Sequence, residues 1–186
     1  VTDRTAVLVI DVQNAIIDGL GGERAAANRA ALDQAVARMA EMLDRARAAG
    51  VPVLHVRHNE GPGENLSTGT PGWEIRAEVA PHDGEPVIDK HHCDSFYGTG
   101  LADRLRGLGV GHLVVMGCMT QFCIDTACRR AVSEGFGVTL AADAHATADL
   151  GPLTAEQTVA HHNFTLHGLS AGDRRVRVVP SAEIRF

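Results

Sequence analysis

Apolar and polar positions fall along this chain in blocks of two kinds. Short apolar runs, typical of strands buried on both faces, cover Ala6 to Asp11, Val51 to Val56, Val87 to Lys90, His112 to Met116, Val138 to Ala142 and Arg175 to Val179. Segments of helical spacing lie between them. Arg24 to Ala49 is Ala-rich, with Leu32, Val36, Met39 and Leu43 on one stripe, and Gly50 stops it. Leu101 to Leu108 predicts a short helix closed by Gly109, and Phe122 to Glu134 a longer one. Thr154 to Leu169 predicts the last helix, opened by a Thr154/Gln157 capping box. Asn59 to Gly72 is rich in Gly, Pro, Ser, Thr and Asn, which predicts a long loop with room for function.

Alternating strands and helices predict an α/β fold with three αβα layers around a parallel sheet of six strands. Ligands in such folds bind beyond the carboxyl ends of the strands, near the point where the strand order reverses. Three reactive side chains sit at such ends: Asp11 after the first strand, Lys90 after the third and Cys123 just past the fourth. Cys123 falls at a predicted helix start, where unpaired N–H groups and the helix dipole favour a thiolate.

Composition narrows the setting. A length of 186 residues predicts one domain, spanning 1–186. Net charge is −6, with no basic run to follow a phosphate backbone, so nucleic acid is not an expected partner. No apolar stretch reaches the length of a membrane span, and Val1-Thr2-Asp3-Arg4 enters a strand without a signal-peptide pattern. A cytoplasmic location is expected, with Cys93, Cys118, Cys123 and Cys128 reduced. The cysteine spacing lacks the paired clusters of structural zinc sites.

An acid, a lysine and a cysteine can form a nucleophilic centre. Cys123 would attack a carbonyl carbon while Asp11 carries the proton and Lys90 holds the charges in place. The surrounding motifs point the same way. Val7-Leu8-Val9-Ile10-Asp11-Val12-Gln13-Asn14 resembles the opening motif of the isochorismatase-like cysteine hydrolases. Asp89-Lys90 with Asp94-Ser95-Phe96-Tyr97-Gly98-Thr99-Gly100-Leu101, the stretch from Gly117 to Cys123, and Ala141 to Thr147 continue the resemblance across nearly the whole chain. It implies a strand order of 3-2-1-4-5-6 and a triad of Asp11, Lys90 and Cys123. It also implies a cis peptide between Cys118 and Met119, with the N–H groups of Met119 and Cys123 as oxyanion hole.

Within that superfamily, a nucleophilic cysteine implies the amidase-type branch, acting on C–N bonds. The metal-binding Asp-x-His of nicotinamidases has no counterpart in His55-Val56-Arg57-His58-Asn59-Glu60, and the i,i+3 spacing of His55 and His58 does not suit a ligand pair on a strand. No metal or cofactor is expected. The Gly-Trp-Glu-Ile and Met-Thr-Gln-Phe-Cys signatures resemble the antibiotic-modifying hydrolases, of which the lactam-opening streptothricin hydrolases come first to test. Nicotinamide, ureido or carbamoyl amide hydrolysis is the alternative, and a non-catalytic binding protein of the same fold is another. The resemblance further implies a homodimer or homotetramer.

Candidate substrate-binding residues are Gln13, Trp73, Phe96 and Phe122. Gln13 and Asn14 either orient Asp11 and substrate or cap the following turn. Trp73 either lines the pocket or anchors the loop, and Phe96 and Phe122 either wall a ring or pack in the core. Cys93 and Cys128 are expected to pack as small hydrophobes, and Cys118 to shape the pocket without reacting.

Overall fold

The computed structural model describes residues 4–186. The Val1–Asp3 segment, expected to lead into the first strand, lies outside the described residues. The elements run β1 (Arg4–Ile10), α1 (Ala25–Ala48), β2 (Val53–His58), β3 (Val87–Lys90), α2 (Leu101–Gly107), β4 (Val110–Cys118), α3 (Asp125–Ser133), β5 (Gly137–Ala146), α4 (Ala155–Leu166), β6 (Ser170–Ala171) and β7 (Arg174–Val179). The sheet order is β3-β2-β1-β4-β5-β7-β6. The six long strands are parallel and keep the expected order, and the α/β three-layer class holds. Among the described residues the sheet has seven strands, not six. The addition, β6, pairs antiparallel with β7 through two residues only, around Gly172 at φ +60°. Two residues leave no period to read.

Alternation along β1 divides the core. Ala6, Leu8 and Ile10 face α2, α3 and α4, packing with Leu101, Leu105, Ala127, Ala131 and Leu166. Val7 and Val9 face α1, packing with Leu32, Val36, Met39 and Leu43 as its stripe predicts. Thr154 caps α4 with both halves of the capping box in place. No described helix is long and apolar enough to cross a membrane.

The order reverses between β1 and β4, so the carboxyl ends of these two strands open the crevice. They approach closely there. Gly117 lies at φ +131°, and a Cβ on it would meet the Ile10 carbonyl oxygen at 2.0 Å. Only glycine fits. Asp11 follows at φ +53°, a rare conformation for a residue with a side chain, costing on the order of 1–3 kcal/mol.

Candidate active site

Asp11, Lys90 and Cys123 come together at this crevice from β1, β3 and the turn after β4. Lys90 Nζ lies 2.6 Å from Asp11 Oδ2. The same ammonium donates to Cys123 Sγ at 3.1 Å, to the His92 carbonyl at 3.0 Å and to His58 Nδ1 at 3.2 Å. With Asp11 Oδ2, four acceptors thus share the three protons of the ammonium. Asp11 and Lys90 are each 1% exposed and Cys123 is 8% exposed. Lys90 and the Cys123 thiol are the donors that face Asp11, and among the described residues neither of its oxygens has a further aligned partner. A buried carboxylate so little satisfied stands out, because most buried polar groups are fully bonded.

Burial sets the proton positions. It raises the Asp11 carboxyl above the ordinary value, with Lys90 and the Cys123 thiol pulling it partly back. Burial alone would lower Lys90, but Asp11 and Cys123 hold it above the usual lysine range, so it stays charged. The Cys123 thiol is pushed up by burial and by the Asp11 charge, with Lys90 opposing. Burial thus opposes the thiolate that a helix start favours. Thr120–Ile124 forms a π-helical turn that runs directly into α3 at Asp125, so Cys123 lies in the first turn of a continuous helical stretch, as expected of a helix start. A thiol held up by burial calls for a base beside it. Cys118, fully buried, is pushed up to about 12, and burial raises Cys128 as well.

The peptide between Cys118 and Met119 is cis. Met119, Phe122 and Cys123 line a cavity of about 360 Å³ together with Asp11, His58 and Cys93. Ala15, Ile16, Leu20 and Leu66 add an apolar wall, and Asp18 and Glu60 add acids. That size suits a small molecule.

Three of the candidate binding residues do other work. Gln13 is fully buried; its amide donates to the carbonyls of His58 and Trp73 and accepts from the His58 N–H. It clamps β2 to the long loop. Trp73 is the loop anchor: its indole N–H donates to Asn59 Oδ1, and its ring stacks under the Arg57 guanidinium at 3.4 Å. Asn14 likewise holds the loop, donating to the Pro71 carbonyl. Phe96 packs on Phe136 in the core instead of walling the cavity. Phe122 does line the cavity, at its exposed rim. Cys93, expected to be packed, is exposed and also lines the cavity.

Sequence reasoning missed His58 as a neighbour of the triad. The apolar run stops at Val56, but β2 continues to His58, whose partner in register is Lys90. Pairing the strand ends would have found it. His55 projects elsewhere, 3.2 Å from Glu85, so the two histidines do not converge. A second polar chain lies behind the turn. Asn163 donates to the Ala142 carbonyl, so its Oδ1 takes the His145 Nε2–H, and Thr120 then donates to His145 Nδ1, both at 2.9 Å. Burial holds His145 neutral, down to about 4.

Similarity to known proteins follows this geometry. A streptothricin hydrolase from Streptomyces noursei is 35% identical over 179 residues, covering 95% of this chain and 68% of that protein. A ureidoacrylate amidohydrolase from Rhizobium rhizogenes is 29% identical over 189 residues, covering 85% of this chain and 76% of that one. The crystal structure of an isochorismatase from Pseudomonas putida KT2440 superposes with a TM-score of 0.83 at 31% identity, covering 97% of this chain and 90% of the other. The family model for the isochorismatase domain matches residues 5–171. With nearly the whole sheet inside that match, the chain belongs to the isochorismatase family of hydrolases.

Proposed function

We propose that this protein is a cysteine hydrolase that cleaves an amide or lactam C–N bond of a small molecule through a Cys123 thioester. The observation that carries the reading is the contact of one buried ammonium, Lys90, with both Asp11 and Cys123 at the cavity floor. Asp11, with its raised pKa, takes the thiol proton as Sγ attacks the carbonyl carbon. Lys90 stabilises the charges on both groups. The N–H groups of Met119 and Cys123 receive the oxyanion. The C–N bond then breaks, and Asp11 returns the proton to the leaving nitrogen. Asp11 next takes a proton from water, which attacks the thioester, and Sγ departs with that proton. One water is consumed.

Streptothricin, with its lactam, is the first substrate to test, and the similarity to a streptothricin hydrolase supports that choice. The alternative, a ureido or carbamoyl amide, draws support from the ureidoacrylate amidohydrolase. A cytoplasmic, homodimeric or homotetrameric enzyme belongs to the same reading. The test is mass spectrometry of products from streptothricin, ureidoacrylate and nicotinamide, with Cys123→Ala alongside. Streptothricin gaining one water without ammonia release, only with the parent protein, is the expected result. Ammonia release from another substrate shifts the assignment to the alternative. Equal turnover by Cys123→Ala removes the mechanism. Failure of the parent on every compound, with Cys123 inert to thiol reagents, favours a binding protein.

A further inference from the structure

His58 closes β2 beside the cavity, and its surroundings define which proton it carries. Gln13 fixes its backbone from both sides, accepting from its N–H at 3.0 Å and donating to its carbonyl at 2.9 Å. Its ring lines the cavity with Asp11 and Cys123. Nδ1 lies 3.2 Å from Lys90 Nζ. An ammonium group has donors and no acceptor, so Nδ1 accepts, and the neutral ring carries its proton on Nε2. Burial and the Lys90 charge hold the ring below the ordinary imidazole value, against the opposing pull of Asp11 and Glu60. The nitrogen away from Lys90 is therefore the N–H donor of a ring that lines the cavity.

We infer that His58 binds substrate, its Nε2–H donating to a carbonyl-type oxygen held next to the carbon that Cys123 attacks. The inference rests on Cys123 being the nucleophile, and it sharpens the substrate class. A neutral Nε2–H offers nothing to a cationic group, and the Lys90 charge behind the ring repels one. The group held here is an uncharged or anionic acceptor: the oxygen of a lactam, a ureido group or a second amide. Because the ring is tied to the ammonium that contacts both Asp11 and Cys123, the acceptor is placed in a fixed relation to the reacting atoms.

Two thiol reagents read this without knowledge of the substrate. Iodoacetamide carries an amide oxygen; dimethyl disulfide carries no oxygen at all. Labelling of the Cys123 peptide is followed by mass spectrometry, so the exposed Cys93 is scored separately. In His58→Leu, iodoacetamide labelling is expected to slow about tenfold, the worth of one good hydrogen bond, while the dimethyl disulfide rate stays within about twofold. His58→Gln, which keeps a donor and an acceptor, is expected to recover most of the iodoacetamide rate. Equal slowing of both reagents means that His58 acts only through Lys90, and overturns the inference. So does an unchanged iodoacetamide rate. Nitrogen-15 spectra of the histidine rings test the parent protein directly, and a proton on Nδ1 of His58 likewise overturns it. A parent Cys123 that resists both reagents removes the nucleophile reading instead, and this inference falls with it.

Discussion

Two buried polar clusters flank the π-helical turn at Thr120–Ile124, and they are built on opposite principles. In front, Asp11, Lys90 and Cys123 hold an ion pair and a thiol in a space where the carboxylate has only Lys90 and that thiol as donors. Behind, Thr120, His145 and Asn163 form a neutral chain in which both ring nitrogens of His145 are bonded. Burial is nearly equal: Asp11 is 1% exposed and His145 3%. The difference lies in satisfaction. A neutral, fully bonded chain fixes one arrangement of the turn, whereas a charged and under-bonded cluster keeps protons available to move.

Lys90→Met strikes the contrast hardest. It leaves Asp11 buried without its counter-charge, and turnover of any substrate found is expected to fall by roughly 10³-fold or more. Unfolding in urea should show a loss of about 3–5 kcal/mol, the cost of stranding one member of a buried pair. Activity near the parent level would mean that the front cluster is structural like the one behind.

The pH dependence of kcat/KM comes next. Asp11 must be ionised to take the thiol proton, so activity falls as pH falls through its pKa, by about tenfold per pH unit. Its burial places that limb above the ordinary carboxylate value of 3.8. Steady-state rates across the acid range check this, and a limb at or below the ordinary value would break the assignment.

The rear cluster should respond in stability. His145 is held neutral down to about 4, against 6.5 for an ordinary imidazole. The unfolded chain takes up a proton first, so its contribution is full above pH 6.5 and lost as pH falls toward 4. The gap corresponds to about 3 kcal/mol. Urea midpoints of His145→Gln should fall less steeply with acid over that window than those of the parent, and parallel curves would contradict the neutral chain.

Cys128→Ala should have the smallest effect. That thiol is fully buried among Ala127, Ala131 and Val132, away from the cavity lining. Activity is expected within about twofold of the parent and stability within about 1–2 kcal/mol, by kinetics and thermal melts.

Asp11 and Lys90 were legible in the sequence because each ends a short apolar run, and a polar residue closing such a run marks the strand's end. The fold class was legible for the same reason. His58 was hidden because Arg57 and His58 are polar, although the strand continues through them to pair with β3. Phe96 was ambiguous because an aromatic ring gives no hint of which wall it faces. Trp73 and Gln13 turned out to hold the long loop through side-chain to backbone and side-chain to side-chain bonds, contacts at separations of 14 to 60 residues that no local pattern encodes. The π-helical turn escaped because the apolar spacing from Phe122 onward reads equally well as ordinary helix.

Gly117 carries a consequence for how such a chain can diversify. With no room for a methyl group between β4 and the Ile10 carbonyl, the strand ends that deliver Asp11 and Cys123 form a frame closed to sequence drift at that crossing. The cavity wall at Ile16, Leu20, Leu66 and Phe122 comes from turns outside the strands and carries no such restriction. New substrates are then acquired by rewriting the wall around an unchanged frame, and a mutational library aimed at specificity is best spent there, with position 117 left alone.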